Sequence, residues 1–291
     1  MKAPVTVVTT FGLGRTPAQV GMLAELAARK VTPDFVVGTS LGAINAAALA
    51  AGRTPDEMAE FWLWLQEEVF ASPIRAIARG ITARQARRQE ELVRTRIAEM
   101  LPPDFADLPI PLRVVATELT TGNEVVLDSG DLPTAVMASC ALPGLFPPVE
   151  IGGGHFIDGG LVAGMPLRAV PDDTRTLIVL DTGHSATSPD TVAGYRWWEV
   201  GALSYAHQIR GQAVNVLVKS AAKMPVVVVS TSEGRLLDFS DAQTAIDAGR
   251  QAAGEQLSGL PARLKRGVYN LPEGLDASDV LRQLAVYPPN R

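Results

Sequence analysis

Six short runs of β-branched residues set the fold class of this 291-residue chain: Val5–Thr9, Phe35–Val37, Leu112–Thr117, Glu124–Leu127, Thr176–Leu180 and Val226–Ser230. Several, such as Val226-Val227-Val228-Val229, are apolar at successive positions instead of alternating. An alternating strand leaves one face in water. A continuously apolar strand must be covered on both faces, as in a parallel sheet between helical layers. The segments between the runs read as helices. Thr16-Pro17 is expected as Ncap and N1 of a helix carrying Val20, Leu23, Leu26 and Ala27 on one face. Leu41 to Ala51 is alanine-rich and stops before Gly52. Thr54-Pro55-Asp56-Glu57 opens another helix, with its acids in the first turn where the dipole favours them. Strands alternating with helices predict an α/β fold with a mostly parallel central sheet.

The chain can cover such a sheet. It is 47% hydrophobic, and folding at this length removes roughly three-quarters of the unfolded surface from water. No repeat or Ser/Gly linker marks a boundary, so residues 1–291 are read as one domain, with a helical insertion over 58–100 and an extension over 256–291. The single cysteine, Cys140, excludes an internal disulfide and supplies too little thiolate for a zinc or iron–sulfur site; it reads as a small buried residue. No metal and no cofactor are expected. Twenty-six basic against 31 acidic residues give a formal charge of −5, which argues against nucleic-acid binding by phosphate neutralisation. The opening MKAPVTVVTT is too short in apolar residues for a signal h-region, and no run of 18 apolar residues occurs. A cytoplasmic location is expected, with peripheral membrane contact left open.

Gly38-Thr39-Ser40-Leu41-Gly42 is the most informative short segment. It follows an apolar strand and precedes a helix, the context in which G-x-S-x-G forms a nucleophile elbow. Gly38 and Gly42 suit a turn so tight that a Cβ would crowd strand or helix. Ser40 would present its hydroxyl where free N–H groups and the helix dipole favour developing negative charge. A serine capping a helix after a glycine turn has the same composition, so the pentapeptide alone leaves both readings open.

A nucleophilic serine needs a base, and the histidines are His155, His184 and His207. His207 lies in a long helical stretch, Tyr195 to Lys223, and reads as a surface or packing residue. His184 follows the Thr176–Leu180 run and Asp181, within reach of a site at the strand ends. A hydrolase triad in the order serine, acid, histidine belongs to a fold with several strands before its elbow, whereas here only Val5–Thr9 clearly precedes Phe35–Val37. Asp158 is the other candidate. It ends His155-Phe156-Ile157 and enters Gly159-Gly160, so its carboxylate is held close to backbone. Asp-Gly is also a frequent turn dipeptide. Gly152-Gly153-Gly154 upstream is expected to turn a hairpin that delivers Asp158, since no helix with a lysine follows to make a phosphate loop.

These residues, in this order, resemble the patatin-like phospholipases. The resemblance rests on Gly38 to Gly42 continued by Ala43-Ile44-Asn45-Ala46, and on Asp158-Gly159-Gly160. It extends to Ala116 through Gly122, Ala138-Ser139-Cys140-Ala141 through Pro148, and Asp238-Phe239 through Gly249. It spans about residues 5–255. It implies a three-layer α/β/α fold with a helical cap, acting as a lipid acyl hydrolase on acyl lipids or phospholipids without a cofactor. In that reading Ser40 is the nucleophile and Asp158 its base, and an acyl-enzyme is hydrolysed in a second step.

The family's glycine-rich oxyanion loop, G-G-G-x-R-G, corresponds here to Phe11-Gly12-Leu13-Gly14-Arg15-Thr16. Gly12, Leu13 and Gly14 are the candidate oxyanion donors, with Arg15 a neighbouring cation. Phe11, Leu13 and Thr16 stand where the family has glycine, which leaves a catalytically weak, lipid-binding relative as one alternative. A malonyl-transacylase-like acyltransferase using His184 is another. Within 58–100, Phe61, Trp62, Trp64, Leu65, Val69 and Phe70 precede an arginine-rich stretch containing Arg75, Arg79, Arg84, Arg87, Arg88, Arg94 and Arg96. This reads either as a core helix followed by a solvated one or as a cap facing an anionic lipid surface. Trp197-Trp198 on the later long helix would line an acyl pocket under that cap or simply pack.

Overall fold

In the computed structural model, which describes residues 1–70, 82–183, 197–236 and 238–271, every valine-rich run is a strand. The strands are β1 (Val5–Thr9), β2 (Phe35–Thr39), β3 (Leu112–Glu118), β4 (Glu124–Leu127), β5 (Val149–Ile151), β6 (Gly154–Ile157), β7 (Thr176–Asp181), β8 (Pro225–Ser230) and β9 (Gly267–Tyr269). They form one sheet in the order β5-β6-β3-β2-β1-β7-β8-β9, with β4 also on β3. Strands β3, β2, β1, β7, β8 and β9 are mutually parallel; β4, β5 and β6 make an antiparallel edge.

The main helices are α1 (Ala18–Ala28), α2 (Gly42–Ala50), α3 (Pro55–Leu65), α4 (Ala83–Met100), α5 (Leu132–Cys140), the short α6 (Gly160–Ala163), α7 (Trp197–Ala221) and α8 (Ala242–Ser258). Neighbouring residues of one strand enter different cores. Val7, Val36 and Val114 pack in a cluster with side chains of α1, α2, α3, α5 and α8. Val8, Val37 and Val115 pack in a second cluster with Ala213, Leu217 and Ala221 of α7. The sheet is thus covered on both faces, giving the three-layer α/β/α architecture that uninterrupted valine runs require.

Two local expectations need correction. Thr16 is not the Ncap of α1: it already has helical dihedrals (φ −57°, ψ −33°) as the residue ending a 3₁₀ turn at Leu13–Arg15, and the Ncap is Pro17. Ala27 is exposed, while Val20, Leu23 and Leu26 of the expected face are buried. By contrast, Thr54 and Glu57 form a reciprocal capping box at the start of α3.

A buried polar network ties together the elements that surround the elbow. Asn45 on α2 donates through Nδ2 to the Gln19 Oε1 (3.0 Å) and Thr16 carbonyl (3.2 Å) oxygens, and its Oδ1 accepts from Trp62 Nε1 on α3 (2.8 Å). Gln19 Nε2 in turn donates to the Thr10 carbonyl oxygen at 2.8 Å. One side chain therefore fixes α2, α3 and the entry to α1 relative to one another. Replacing Asn45 by Ala strands a buried indole N–H and a buried amide oxygen, and the expected loss is about 2–4 kcal/mol of unfolding free energy at ~1–3 kcal/mol per unsatisfied group. Urea denaturation measures it. Adding Trp62→Phe to Asn45→Ala should then cost less than Trp62→Phe does alone, because the orphaned donor is gone.

Candidate active site

β2 runs into the elbow through Gly38 and Thr39, Ser40 turns with φ +55°, and α2 begins two residues later at Gly42. A serine in the left-handed region is a strained placement that surrounding structure has to hold. Both flanking glycines are required by close approach. A Cβ on Gly38 would stand 2.5 Å from Ala46 Cβ and 2.8 Å from Ala43 Cα, and one on Gly42 would press into the Thr10 carbonyl.

The strained turn is clamped from α5. Ser40 N–H donates to Ser139 Oγ (2.8 Å), Ser139 Oγ donates to the Val115 carbonyl (2.6 Å), and Cys140 Sγ donates to the Ser40 carbonyl (3.0 Å). Cys140 is buried as expected, and burial holds its thiol well above the ordinary range. Its placement against Ser40 was not expected, nor was the part played by Ser139. The Ser-Cys pair ending a largely apolar helix is the sequence signal that marks both.

The Gly152-Gly153 turn, with φ +58° and +84°, links β5 to β6 as expected. Asp158 follows β6 and is fixed by its main chain: its N–H donates to the Ala141 carbonyl (3.0 Å), and its carbonyl accepts from Thr117 Oγ1 (2.8 Å). The carboxylate then meets the elbow. Asp158 Oδ2 accepts from Ser40 Oγ at 2.7 Å, and Oδ1 accepts from Gly160 N–H at 2.7 Å. Ser40 and Asp158, 118 residues apart in sequence, are thus hydrogen-bonded, and both are buried. Burial pushes the Asp158 carboxyl up to about 7, against the lowering influence of the bonds from Ser40 and Gly160. A buried carboxylate on a serine hydroxyl can remove its proton as the oxygen attacks an electrophile.

The loop after β1 adds backbone donors, though not all those anticipated. Gly14 N–H donates to the Leu236 carbonyl (2.7 Å), and Arg15 N–H donates to the Gly12 carbonyl (3.0 Å), so neither is open to a substrate oxygen. The N–H groups of Gly12 and Leu13 have no hydrogen-bond acceptor among the described residues, and the same holds for Leu41, directly after Ser40. Leu13 has φ +49°. That is a left-handed conformation uncommon for a residue with a side chain, and the side chain packs in the core. Arg15 is buried, and its Nε donates to the Gly234 carbonyl at 2.7 Å, so it fastens the loop to the β8–α8 connection.

Other candidates lie elsewhere. His155 on β6 and His207 on α7 are exposed. His184, Arg75 and Arg79 fall outside the described residues, as do the side chains of Trp197 and Trp198. Gly159 and Gly160 are not a simple turn: Gly160 opens α6. Most of the aromatic half of the 58–100 segment is core, Trp64 being half-buried with the Arg96 guanidinium 5.6 Å from its ring centroid. Phe61, Trp62, Leu65, Val69 and Phe70 are buried, and Phe70 stacks on Phe239 with ring centroids 3.9 Å apart. Those aromatic side chains are packed inward and do not form an open lipid-facing surface. Arg84, Arg87 and Arg88 on α4 are exposed, whereas Arg94 and Arg96 pair with Glu90 and Glu99. Among the described residues no helix is long and apolar enough to cross a membrane.

The fold and this serine–aspartate pairing define a class. The patatin-like phospholipase family model matches residues 12–171, and the chain belongs to that family. It is 30% identical over 159 residues to an uncharacterized NTE family protein of Mycobacterium tuberculosis (strain H37Rv), covering 55% of this chain and 43% of that protein. It is 25% identical to Lysophospholipase NTE1 of Mycosarcoma maydis over 92% of this chain and 15% of that protein. The chain spans less than half the length of these curated relatives. Among solved structures, it is similar to VipD from Legionella pneumophila (TM-score 0.45, 13% identity), over 87% of this chain and 67% of that one. It is also similar to the Pseudomonas aeruginosa ExoU–SpcU complex (TM-score 0.47, 16% identity), over 98% of this chain and 58% of that one.

The raised Asp158 pKa has a stability consequence. The unfolded carboxyl titrates near ~3.9, the folded one at about 7, so the folded state holds its proton more tightly. That contribution is fully present below about pH 4 and is lost as pH rises through about 7, on the order of 4 kcal/mol in total. Asp158→Asn removes the titration. The variant is therefore expected to gain stability relative to the native chain between pH 4 and 8, with the difference levelling off above. Chemical denaturation at a series of pH values measures the slope.

Proposed function

We propose that the protein is a carboxylic-ester hydrolase that releases acyl chains from lipids, of phospholipase A or lysophospholipase type. The observation that carries this reading is the 2.7 Å hydrogen bond from Ser40 Oγ to Asp158 Oδ2 at a left-handed elbow. As Ser40 Oγ attacks the ester carbonyl carbon, Asp158 takes the hydroxyl proton. The carbonyl oxygen becomes an oxyanion, and this reading assigns its stabilisation to the N–H groups of Gly12, Leu13 and Leu41. Collapse expels the alcohol, which leaves with the proton from Asp158, and an acyl-Ser40 ester remains. Asp158 then takes a proton from water as it attacks, and gives it to Ser40 Oγ as the fatty acid departs. Each lost oxyanion donor is worth about a hundredfold or more in rate.

Two observations favour this over the alternatives. The open Gly12 and Leu13 amides argue for a working oxyanion loop and against a merely lipid-binding relative. The hydrogen-bond partner of the Ser40 hydroxyl is Asp158, which supports an aspartate base over the histidine of a serine–histidine acyltransferase. In this reading the 58–100 segment is a cap whose contact with an anionic bilayer runs through Arg84, Arg87 and Arg88 rather than through its aromatic residues.

A fluorophosphonate probe with adduct mapping by mass spectrometry tests the assignment. The label is expected on Ser40, absent in Ser40→Ala and strongly slowed in Asp158→Asn; full labelling of Ser40→Ala, or turnover by either variant at the native rate, overturns it. The pH profile is a separate check. Because Asp158 acts as a base only when ionised, kcat/KM on a short-chain ester should climb about tenfold per pH unit below about 7 and level off above it. A profile flat from pH 5 to 8 removes Asp158 from the base role.

A further inference from the structure

A cavity of about 930 Å³ opens at the other end of the sheet from Ser40. It lies where β1, β7 and β8 begin, whereas Ser40 follows the end of β2, so the two are separated by a strand length of roughly 17–20 Å. Its walls carry Lys2, Arg29, Arg175, Lys223, Arg263 and Arg266, and no Asp or Glu among the described residues that line it. The same lining includes apolar side chains: Met224, Leu257 near the end of α8, and Leu260 and Leu264 after it. For a chain with a formal charge of −5, this is a strong local excess of positive charge.

Complementing helix C-termini accounts for only part of that excess. Arg29 is the C-cap residue of α1, bonded to Glu25, to the Gly254 carbonyl and to Ser258. Lys223 follows the end of α7 and pairs loosely with Asp172 at 3.8 Å. Lys2 and Arg175 are different. They precede strands, and backbone bonds hold them in place: Lys2 N–H donates to Thr176 Oγ1 (3.1 Å), that hydroxyl donates back to the Lys2 carbonyl (2.8 Å), and Arg175 N–H donates to the Pro4 carbonyl (2.8 Å). Neither their side chains nor that of Arg263 has an acidic partner among the described residues. Like charges held on one rim over an apolar floor are favourable when an anion with an apolar body sits between them.

We infer that this cavity binds a single-chain anionic amphiphile, its carboxylate or phosphate head between Lys2, Arg175 and Arg263 and its chain against Met224, Leu257, Leu260 and Leu264. The site is distinct from the serine–aspartate pair and does not depend on the hydrolase reading. Calorimetric titration of the full chain tests it, using laurate, dodecyl phosphate, inorganic phosphate and the neutral dodecyl maltoside, each below its micelle concentration. Laurate or dodecyl phosphate should saturate one site, with inorganic phosphate and dodecyl maltoside each at least about tenfold weaker. The exposed double change Arg175→Glu with Arg263→Glu should weaken the amphiphile at least about tenfold while leaving the melting temperature in place. Ser40→Ala should leave binding unchanged. Equal affinity for inorganic phosphate or for the maltoside, unchanged affinity in the double variant, or loss of binding in Ser40→Ala overturns the assignment. A diazirine-bearing fatty acid gives an independent readout: crosslinks to 257–264 support the site, and crosslinks confined to the vicinity of Ser40 overturn it.

Discussion

The structure around the elbow depends on a buried carboxylate held against a serine in a strained turn. Taking an acid out of water is costly unless its oxygens are bonded, and Asp158 has one bond for each, from Ser40 and from Gly160. The turn that presents Ser40 is itself unfavourable for a residue with a Cβ. Neither feature holds itself in place. Ser139 and Cys140 bind the two main-chain polar atoms of Ser40, and the Ser139 carbonyl also accepts the N–H of Gly159 at 3.1 Å. The end of α5 therefore grips both halves of the pair, and its position on the sheet sets their separation.

The antiparallel edge explains how an acid reaches that position. In the parallel part of the sheet each strand ends outward, toward the rim where the elbow and the Gly12–Arg15 loop lie. A strand running the same way would carry its following residue beyond the rim. β6 runs against β3, with Ile157 opposite Thr117 and Phe156 opposite Glu118, so it enters from the rim and ends inside it. Asp158 thus points its carboxylate back beneath the elbow rather than out into solvent. The position of β1 at the centre, with β2 and β7 on either side, places the loop after β1 at the crossover where ligands of open α/β sheets collect.

Much of this was legible because its signals are local. The valine-rich runs located six of the nine described strands to within two residues, and the three-to-four-residue β5, β6 and β9 lie outside them. The misses at their ends, such as Gly38 and Thr39 of β2 or Pro225 of β8, are residues whose strand character comes from their neighbours. Ser40 and Asp158 were legible from short motifs read in order. What stayed hidden depends on distant partners. The use of Gly14 N–H is decided by the Leu236 carbonyl, more than two hundred residues away, and no pattern within the loop reports it. Thr16 looked like a helix cap because Thr-Pro usually is one; the 3₁₀ turn before it had already made its backbone helical, and its buried hydroxyl has no hydrogen-bond partner among the described residues. The aromatic cluster of α3 looked exceptional against a chain with 5% aromatic residues, yet the core beside α2 absorbs it.

The same parallel order makes the two ends of the sheet chemically unlike. A helix that follows a parallel strand starts at the strand's C-terminal rim and finishes near the N-terminal one. N–H groups and positive dipole ends therefore gather around Ser40, while carbonyl ends gather at the opposite rim. Near Ser40 the open amides of Gly12, Leu13 and Leu41 add partial positive charge without a mobile side chain. In the hydrolase proposed above, that would suit an oxyanion formed only during reaction; the cation of the loop, Arg15, is directed to the Gly234 carbonyl. At the far rim the carbonyl ends supply no such donors, and recognition of an anion there has to come from side chains such as Lys2 and Arg175. One sheet polarity thus separates fixed backbone electrostatics at one end from side-chain charge at the other.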